Sequence, residues 1–317
     1  MSGRIVAVCR SEQKGTPKTD IGRGDLVAGH GLRGDAHAGG WHRQISLLAT
    51  SSIDKMRAKG LDLGCGDFAE NLTVEGIDLP RLPIGTRLRI LSPGQARGPV
   101  LEVTQIGKEC HHGCAIFQQV GDCVMPREGI FARVVRGGPV SAGDTLTQFD
   151  PRVFTVSVVT ASDKGSRGER EDVSGQVVAQ VIEDFGGEVV STQILPDERG
   201  QISAHLRHLA DEVGVDLVLT TGGTGLGPRD VTPEATLDVM DRNVPGIAEV
   251  MRMESMKQTP RAMLSRAVSG LRARTLIINL PGSPRAVKEC LEAILPALGH
   301  GIDILRAQAT ECARPMD

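Results

Sequence analysis

A chain of 317 residues is long enough for about two domains. Its 40% hydrophobic and 24% charged residues supply enough apolar content to bury cores, which excludes a disordered tail protein. A formal charge of −3 gives no net basic field for a nucleic-acid backbone, and six Phe, one Trp and no Tyr leave no stacking platform for single strands. No run reaches the roughly 18 apolar residues of a membrane span. The opening Met1-Ser2-Gly3-Arg4-Ile5-Val6 reads as the lead into a strand and not as a signal peptide. Seven cysteines without a secretory signal point to reduced thiols in a cytoplasm.

Residues 1–150 are rich in short β-type runs broken by Gly and Pro. The clearest predicted strands cover 4–9, 44–49, 87–91 and 100–106, with a short helix at 52–59. A β-rich, barrel-like domain follows from that pattern. Within it, Lys108-Glu109-Cys110-His111-His112-Gly113-Cys114 gathers thiols and imidazoles, and Cys123 follows. Cys-x3-Cys with no second paired cluster is a poor match to structural zinc spacing. Cys9 and Cys123 read as buried and inert. Cys110 and Cys114, flanked by His and Gly, are the accessible candidates, with a pKa that nearby positive charge would lower.

From Pro151 the pattern changes, and residues 151–317 form the second predicted domain. Strands are expected at 154–160, 188–195, 217–220 and 275–280. Helices are expected at 174–185, 200–213, 233–241, 246–256, 261–269 and 284–298. Strands alternating with helices imply an α/β three-layer fold with a mostly parallel sheet.

The densest signal is Thr220-Thr221-Gly222-Gly223-Thr224-Gly225-Leu226-Gly227-Pro228-Arg229-Asp230-Val231-Thr232-Pro233-Glu234. A buried strand runs into four glycines, and a helix then starts with Thr232 as N-cap and Pro233 as its first residue. Free backbone N–H groups and a helix N-terminus at a strand's carboxyl end form an anion site. The device recurs at Asn279-Leu280-Pro281-Gly282-Ser283-Pro284, with Ser283 as the cap. Two such sites suit a ligand with several phosphates, or two phosphorylated ligands together. Neither segment fits the Walker or dinucleotide fingerprint. Asp197 and Asp230 should lie on the same sheet edge, where they could hold Mg²⁺ against phosphates; singly, each reads as a turn former or cap.

Over its whole length this half resembles the MogA/MoaB family of molybdenum-cofactor biosynthesis proteins. The matching stretches are Val158-Val159-Thr160-Ala161-Ser162-Asp163, Leu195-Pro196-Asp197-Glu198, the glycine loop with Asp230-Val231-Thr232-Pro233-Glu234, and Asn279-Leu280-Pro281-Gly282-Ser283-Pro284. The resemblance implies adenylylation of molybdopterin with ATP and Mg²⁺, with Asp197 and Asp230 as catalytic metal-binding aspartates. It places ligand contacts at Ser162, Asp163, Thr221, Gly222, Gly223, Thr224, Gly225, Glu234, Asn279, Pro281, Gly282 and Ser283. It also implies a homotrimer formed through this domain.

The first half resembles the MOSC domain, named for the C-terminal region of molybdenum-cofactor sulfurase. Carrying residues are Gly34-Asp35-Ala36-His37-Ala38-Gly39, Arg43-Gln44-Ile45-Ser46, Gly66-Asp67-Phe68-Ala69-Glu70-Asn71-Leu72, Leu82-Pro83-Ile84-Gly85 and Met125-Pro126-Arg127-Glu128-Gly129-Ile130-Phe131-Ala132-Arg133. The resemblance implies a cysteine that carries sulfur or contacts molybdenum, best matched by Cys114 and next by Cys110, and a domain that binds the molybdenum cofactor. Arg43, Arg127 and Arg133 offer forks suited to the pterin phosphate, with a structural or surface role as the alternative. Together the two halves describe a cytoplasmic enzyme of cofactor maturation that works with the molybdenum-insertion machinery and molybdoenzyme apo-proteins. A non-catalytic carrier that stores pterin and delivers it is the alternative, and a molybdenum-dependent reductase, lacking any flavin or haem motif, a third.

Overall fold

Alternation of apolar and polar residues in the first half is the pattern of strands with one face in a core. In the computed structural model, which describes residues 2–108, 115–150 and 153–306, the chain divides into two units, Met1–Pro151 and Arg152–Asp317. The first unit holds β1 (Ser2–Arg10), β2 (Thr19–Asp20), β3 (Arg23–Val27), β4 (Gly31–Leu32), β5 (Ile45–Ala49) and β6 (Leu72–Glu75). It continues with β7 (Arg87–Leu91), β8 (Val100–Ile106), β9 (Ile130–Arg136), β10 (Gly138–Ser141) and β11 (Thr145–Gln148). Seven of these follow the order β11-β7-β8-β9-β5-β6-β1, and β1 pairs back onto β11, so the sheet closes into a barrel. Only β5 and β6 run parallel within it. Ile5, Leu47, Val74, Leu88 and Leu101 fill the interior. Helices α1 (Thr50–Arg57), α2 (Ala115–Val120) and α3 (Met125–Glu128) complete the unit, with Ile53, Met56, Phe68 and Phe131 in a second, smaller core.

Buried polar groups tie this barrel together. Lys18 Nζ donates to both oxygens of Asp35 at 2.8 and 2.7 Å. Asn71 accepts from the Ser46 N–H at 3.1 Å and donates to the Cys9 carbonyl at 3.2 Å, while the Gln44 amide oxygen accepts from the Val134 N–H at 2.8 Å. Glu70 accepts from the Gly66 N–H and the Thr73 hydroxyl at 2.6 and 2.8 Å, and its other oxygen is buried without a partner. Several residues quoted for the family resemblance thus hold the barrel's own strands and loops in register.

The second unit holds β12 (Thr155–Ala161), β13 (Glu188–Leu195), β14 (Leu217–Thr221), β15 (Arg242–Asn243), β16 (Ser269–Arg272) and β17 (Thr275–Leu280), in the sheet order β13-β12-β14-β17-β16-β15. The first four are parallel, and β16 and β15 add antiparallel at one edge, so the sheet is mixed. Its helices are α4 (Asp163–Ser166), α5 (Val173–Asp184), α6 (Arg199–Arg207), α7 (Thr232–Leu237), α8 (Pro245–Met256) and α9 (Pro284–Leu305). Val158, Leu219, Ile278 and Leu280 pack with residues of α5, α8 and α9 in one core. Asn279, between Ile278 and Leu280, points to the opposite face and meets Thr236 of α7. Helices therefore cover both faces.

Two expectations fail here. The spacing over 261–269 predicts a helix; instead Pro260–Leu264 makes one 3₁₀ turn, after which the chain extends into β16. Their apolar spacing fits either state, and pairing with β17 decides it. Thr232 is not the cap of α7: Val231 occupies that position, and Thr232 is the first helical residue with its hydroxyl buried and unpartnered. Among the described residues no helix is long and apolar enough to cross a membrane.

Candidate active site

Strands β12, β14 and β17 end side by side, with Thr160 paired to Thr221 and Thr221 to Leu280. The loops after β14 and β17 are thereby neighbours. The Thr221 hydroxyl ties them by donating to the Pro281 carbonyl at 2.7 Å, and the Ser174 hydroxyl donates to the Gly282 carbonyl at 2.7 Å. The approach is close enough to demand glycine. At Gly222, with φ +90°, a Cβ would stand 2.4 Å from the Ala161 carbonyl oxygen. At Gly223, with φ +62°, it would stand 2.4 Å from the Thr232 hydroxyl.

Around these loops lie two cavities. The larger, about 630 Å³, is lined by Ser162, Asp172, Asp197, Gly222, Asp230 and Gly282 among others. A second, about 430 Å³ and more apolar, is lined by Thr224, Gly225, Met251, Ser283 and Cys290 and shares Gly223, Asp230 and Gly282 with the first. The glycine ridge separates them. The N–H groups of Gly223, Thr224, Gly225 and Leu226 meet no acceptor among the described residues. An anion can therefore be bound by backbone donors here.

Three carboxylates stand at the rim. Asp197 Oδ2 accepts the Asp163 N–H at 2.8 Å, and Asp163 Oδ1 accepts the Asp197 N–H at 3.1 Å. Arg229 grips both oxygens of Asp163, at 2.9 and 3.1 Å, and reaches Glu198 at 2.8 Å. That guanidinium lowers the Asp163 pKa, whereas burial, together with the negative charges of Asp163 and Asp230, raises that of Asp197. Asp230 Oδ2 accepts the Gly227 N–H at 2.7 Å. Asp197 and Asp230 thus each keep one carboxylate oxygen outside these backbone bonds. Among the described residues no three His, Cys, Asp or Glu gather into a metal cage. Mg²⁺ needs only one or two carboxylates plus substrate oxygens, and the pair fits that donor set.

The expected ligand residues divide on geometry. Ser162, Thr221, Gly222, Gly223, Asp197, Asp230 and Gly282 share the larger cavity; Thr224, Gly225, Pro281 and Ser283 reach the smaller. Asp163 lies beside them, clamped by Arg229. Asn279 lines neither cavity: it is fully buried, donating to the Thr220 and Thr236 hydroxyls at 2.9 and 2.8 Å and accepting the Val268 N–H at 3.2 Å. Glu234 points to Arg266. Ser283 stands at the α9 cap position, but its hydroxyl makes no capping bond. Sequence reasoning gave no role to Arg266, hidden in the misread helix, or to Asp172. Asp172 accepts the Gly175 N–H at 2.9 Å and the Thr160 hydroxyl at 2.6 Å, and Asp three residues before a glycine at a helix start was the available signal.

In the first unit, Cys110 and Cys114 lie outside the described residues. Cys9 and Cys123 are buried, and burial pushes the Cys9 thiol pKa up. Arg127 pairs with Asp122 at 2.8 Å, and Arg133 lies 3.7 Å from Glu102. The Arg43 guanidinium stacks 4.7 Å from the Trp41 ring centroid and 5.6 Å from that of Phe131.

Residues 157–300 match the family described as the probable molybdopterin binding domain, and residues 34–147 match the MOSC domain. The molybdopterin adenylyltransferase of Helicobacter pylori J99 is 44% identical over 152 residues, 47% of this chain and 86% of that protein. The Escherichia coli K12 protein of the same name is 42% identical over 156 residues, 46% of this chain and 78% of its own. The crystal structure of the molybdopterin biosynthesis enzyme MoaB from Thermus thermophilus is 48% identical, covering 50% of this chain and all (100%) of that one, at a TM-score of 0.48.

Proposed function

Since the chain belongs to the molybdopterin adenylyltransferase family through its second unit and carries a MOSC domain in its first, we propose that it joins molybdopterin to AMP during molybdenum-cofactor biosynthesis. One observation supports this most: two glycine loops at adjacent strand ends and the carboxylates Asp197 and Asp230 line one cavity of about 630 Å³. In the reaction an oxygen of the molybdopterin phosphate attacks the α-phosphorus of ATP. A new P–O bond forms, the α–β bond breaks, and pyrophosphate leaves with the electron pair.

Such a step asks the protein for position and charge neutralisation, with little covalent chemistry. The N–H groups of residues 223–226 and the start of α9 hold phosphate oxygens, and the Ser283 hydroxyl, free of a capping bond, is available to one of them. Asp197 and Asp230 would hold Mg²⁺, which when bound neutralises charge on the phosphates. Burial first, and then the neighbouring charges of Asp163 and Asp230, raise the Asp197 pKa, and those charges favour a bound cation in the same place. A homotrimer formed through the second unit, a cytoplasmic location, and hand-over to the metal-insertion machinery and apo-enzymes belong to the same reading. In the first unit Cys114 is the proposed thiol for sulfur or molybdenum.

The test is pyrophosphate release by the purified full chain given ATP, Mg²⁺ and molybdopterin. Stoichiometric release with formation of adenylylated pterin is expected. Tight pterin binding with no release would leave a carrier in place of an enzyme.

A further inference from the structure

The glycine loop has a difficulty of its own. A run with four glycines between Gly222 and Gly227 loses much conformational entropy when fixed. Yet an anion cradle works only when its N–H groups already point at the ligand. Something outside the loop must orient it.

We infer that Arg266 is the positioning residue that turns the loop's N–H groups toward the phosphates, an inference that rests on the function proposed above. Arg266 lies between the 3₁₀ turn Pro260–Leu264 and β16. Its backbone N–H donates to the Thr224 carbonyl at 3.0 Å, and its Nε to the Gly225 carbonyl at 2.6 Å. One terminal nitrogen donates to the Asp230 carbonyl, and the other to Glu234 Oε1. Three loop carbonyls are therefore drawn to one side chain and its own backbone.

A planar trans peptide points its carbonyl and the next residue's N–H in opposite directions. Fixing the Thr224 and Gly225 carbonyls on Arg266 thus aims the Gly225 and Leu226 N–H groups away from it. Those are two of the four donors that meet no acceptor among the described residues. Arg266 itself is not among the residues lining either cavity, although its neighbours Ser265 and Ala267 line the smaller. Its charge is offset by Glu234, so its contribution is direction more than attraction. The planar fork is what the task requires: one guanidinium reaches two carbonyls and a carboxylate at fixed angles, and an ammonium cannot.

Inorganic pyrophosphate, titrated calorimetrically into the full-length chain, reads the cradle without any chemistry. Arg266→Lys keeps the charge and the pairing with Glu234. It is expected to weaken pyrophosphate binding about tenfold while leaving the melting temperature nearly unchanged. Arg266→Ala is expected to lose more, with sub-denaturing guanidinium ion restoring part of the loss. A Lys variant that binds like the wild type overturns the inference. So does a folded Ala variant that guanidinium does not rescue, or a wild-type chain with no affinity for pyrophosphate. Arg266-dependent binding in a chain that never adenylylates molybdopterin would instead uphold the inference and remove the reaction.

Discussion

Asp163 and Asp197 hold each other by crossed hydrogen bonds: each accepts the other's backbone N–H in its carboxylate, at 2.8 and 3.1 Å. The bonds continue the β12–β13 pairing past its last pair, Ala161 with Leu195, and tie the start of α4 to the turn after β13. They also bring two acidic groups into one neighbourhood, with different consequences for each. Asp163 is neutralised by Arg229, and Asp197 is left with its charge unfavourably housed. A cation bound there would relieve that cost.

Asp230→Asn preserves an oxygen for the Gly227 N–H and removes the charge. Turnover is expected to fall about 100-fold or more, with a much smaller change in ATP affinity, because charge neutralisation matters most in the transition state. Steady-state kinetics beside direct nucleotide titration measures both. Wild-type turnover in the Asn variant would remove Asp230 from metal binding.

Ser283→Ala separates capping from ligand binding. Loss of a working N-cap costs about 1 kcal/mol, but the Ser283 hydroxyl caps nothing in this structure. The expected stability change is therefore under about 0.5 kcal/mol, while affinity for molybdopterin drops. A lowered melting temperature with unchanged pterin affinity would return Ser283 to the helix.

Burial holds the Glu70 carboxyl pKa above its ordinary range. A raised folded-state value supports the fold at low pH, and that support is lost as pH rises through it. Glu70→Gln keeps an acceptor for Gly66 and Thr73 and cannot ionise. Its melting temperature relative to wild type is expected to climb between about pH 4 and pH 8. A difference that stays flat across that range would mean Glu70 carries no buried proton.

Thiol reactivity ranks the cysteines. Burial raises the Cys9 and Cys290 pKa values, and Cys123 is buried as well, so these three should alkylate last at limiting iodoacetamide. Cys114 is expected to label first, with Trp41 fluorescence reporting separately on pterin entry to the first unit. Protection of Cys114 while Cys110 or Cys123 reacts would reassign the thiol.

What the sequence disclosed was governed by locality. The glycine loop, the strand ahead of it and Asp197 are short-range patterns, and the structure places Asp197 with that loop in one cavity. The strands at 87–91 and 100–106 are similarly local, and the structure has both. Asn279 came from the family resemblance as a ligand contact, and its partners Thr220 and Thr236, 59 and 43 residues away, were not legible from local pattern. Arg266 was invisible for a related reason: its partner carbonyls lie 36 and 41 residues earlier. β16 became a strand only because β17 was there to receive it. In the first half, β9 was not among the predicted strands, since its alternation is masked by continuous burial, with five of its seven residues out of solvent.

The barrel's seam joins its first strand to its last, Ser2–Arg4 against Thr145–Thr147. During synthesis β1 leaves the ribosome ahead of the rest of this unit's strands, and its seam partner emerges some 140 residues later. Until then the ring is an open ribbon, and closing it requires the longest-range pairing in the unit, the kind that forms slowly. The order of translation therefore leaves this half exposed at two unpaired edges, that of β7 and the Ser2–Arg4 stretch of β1, on either side of the missing β11. A chain interrupted before residue 145 would keep both edges bare, each a template for a strand from a neighbouring molecule.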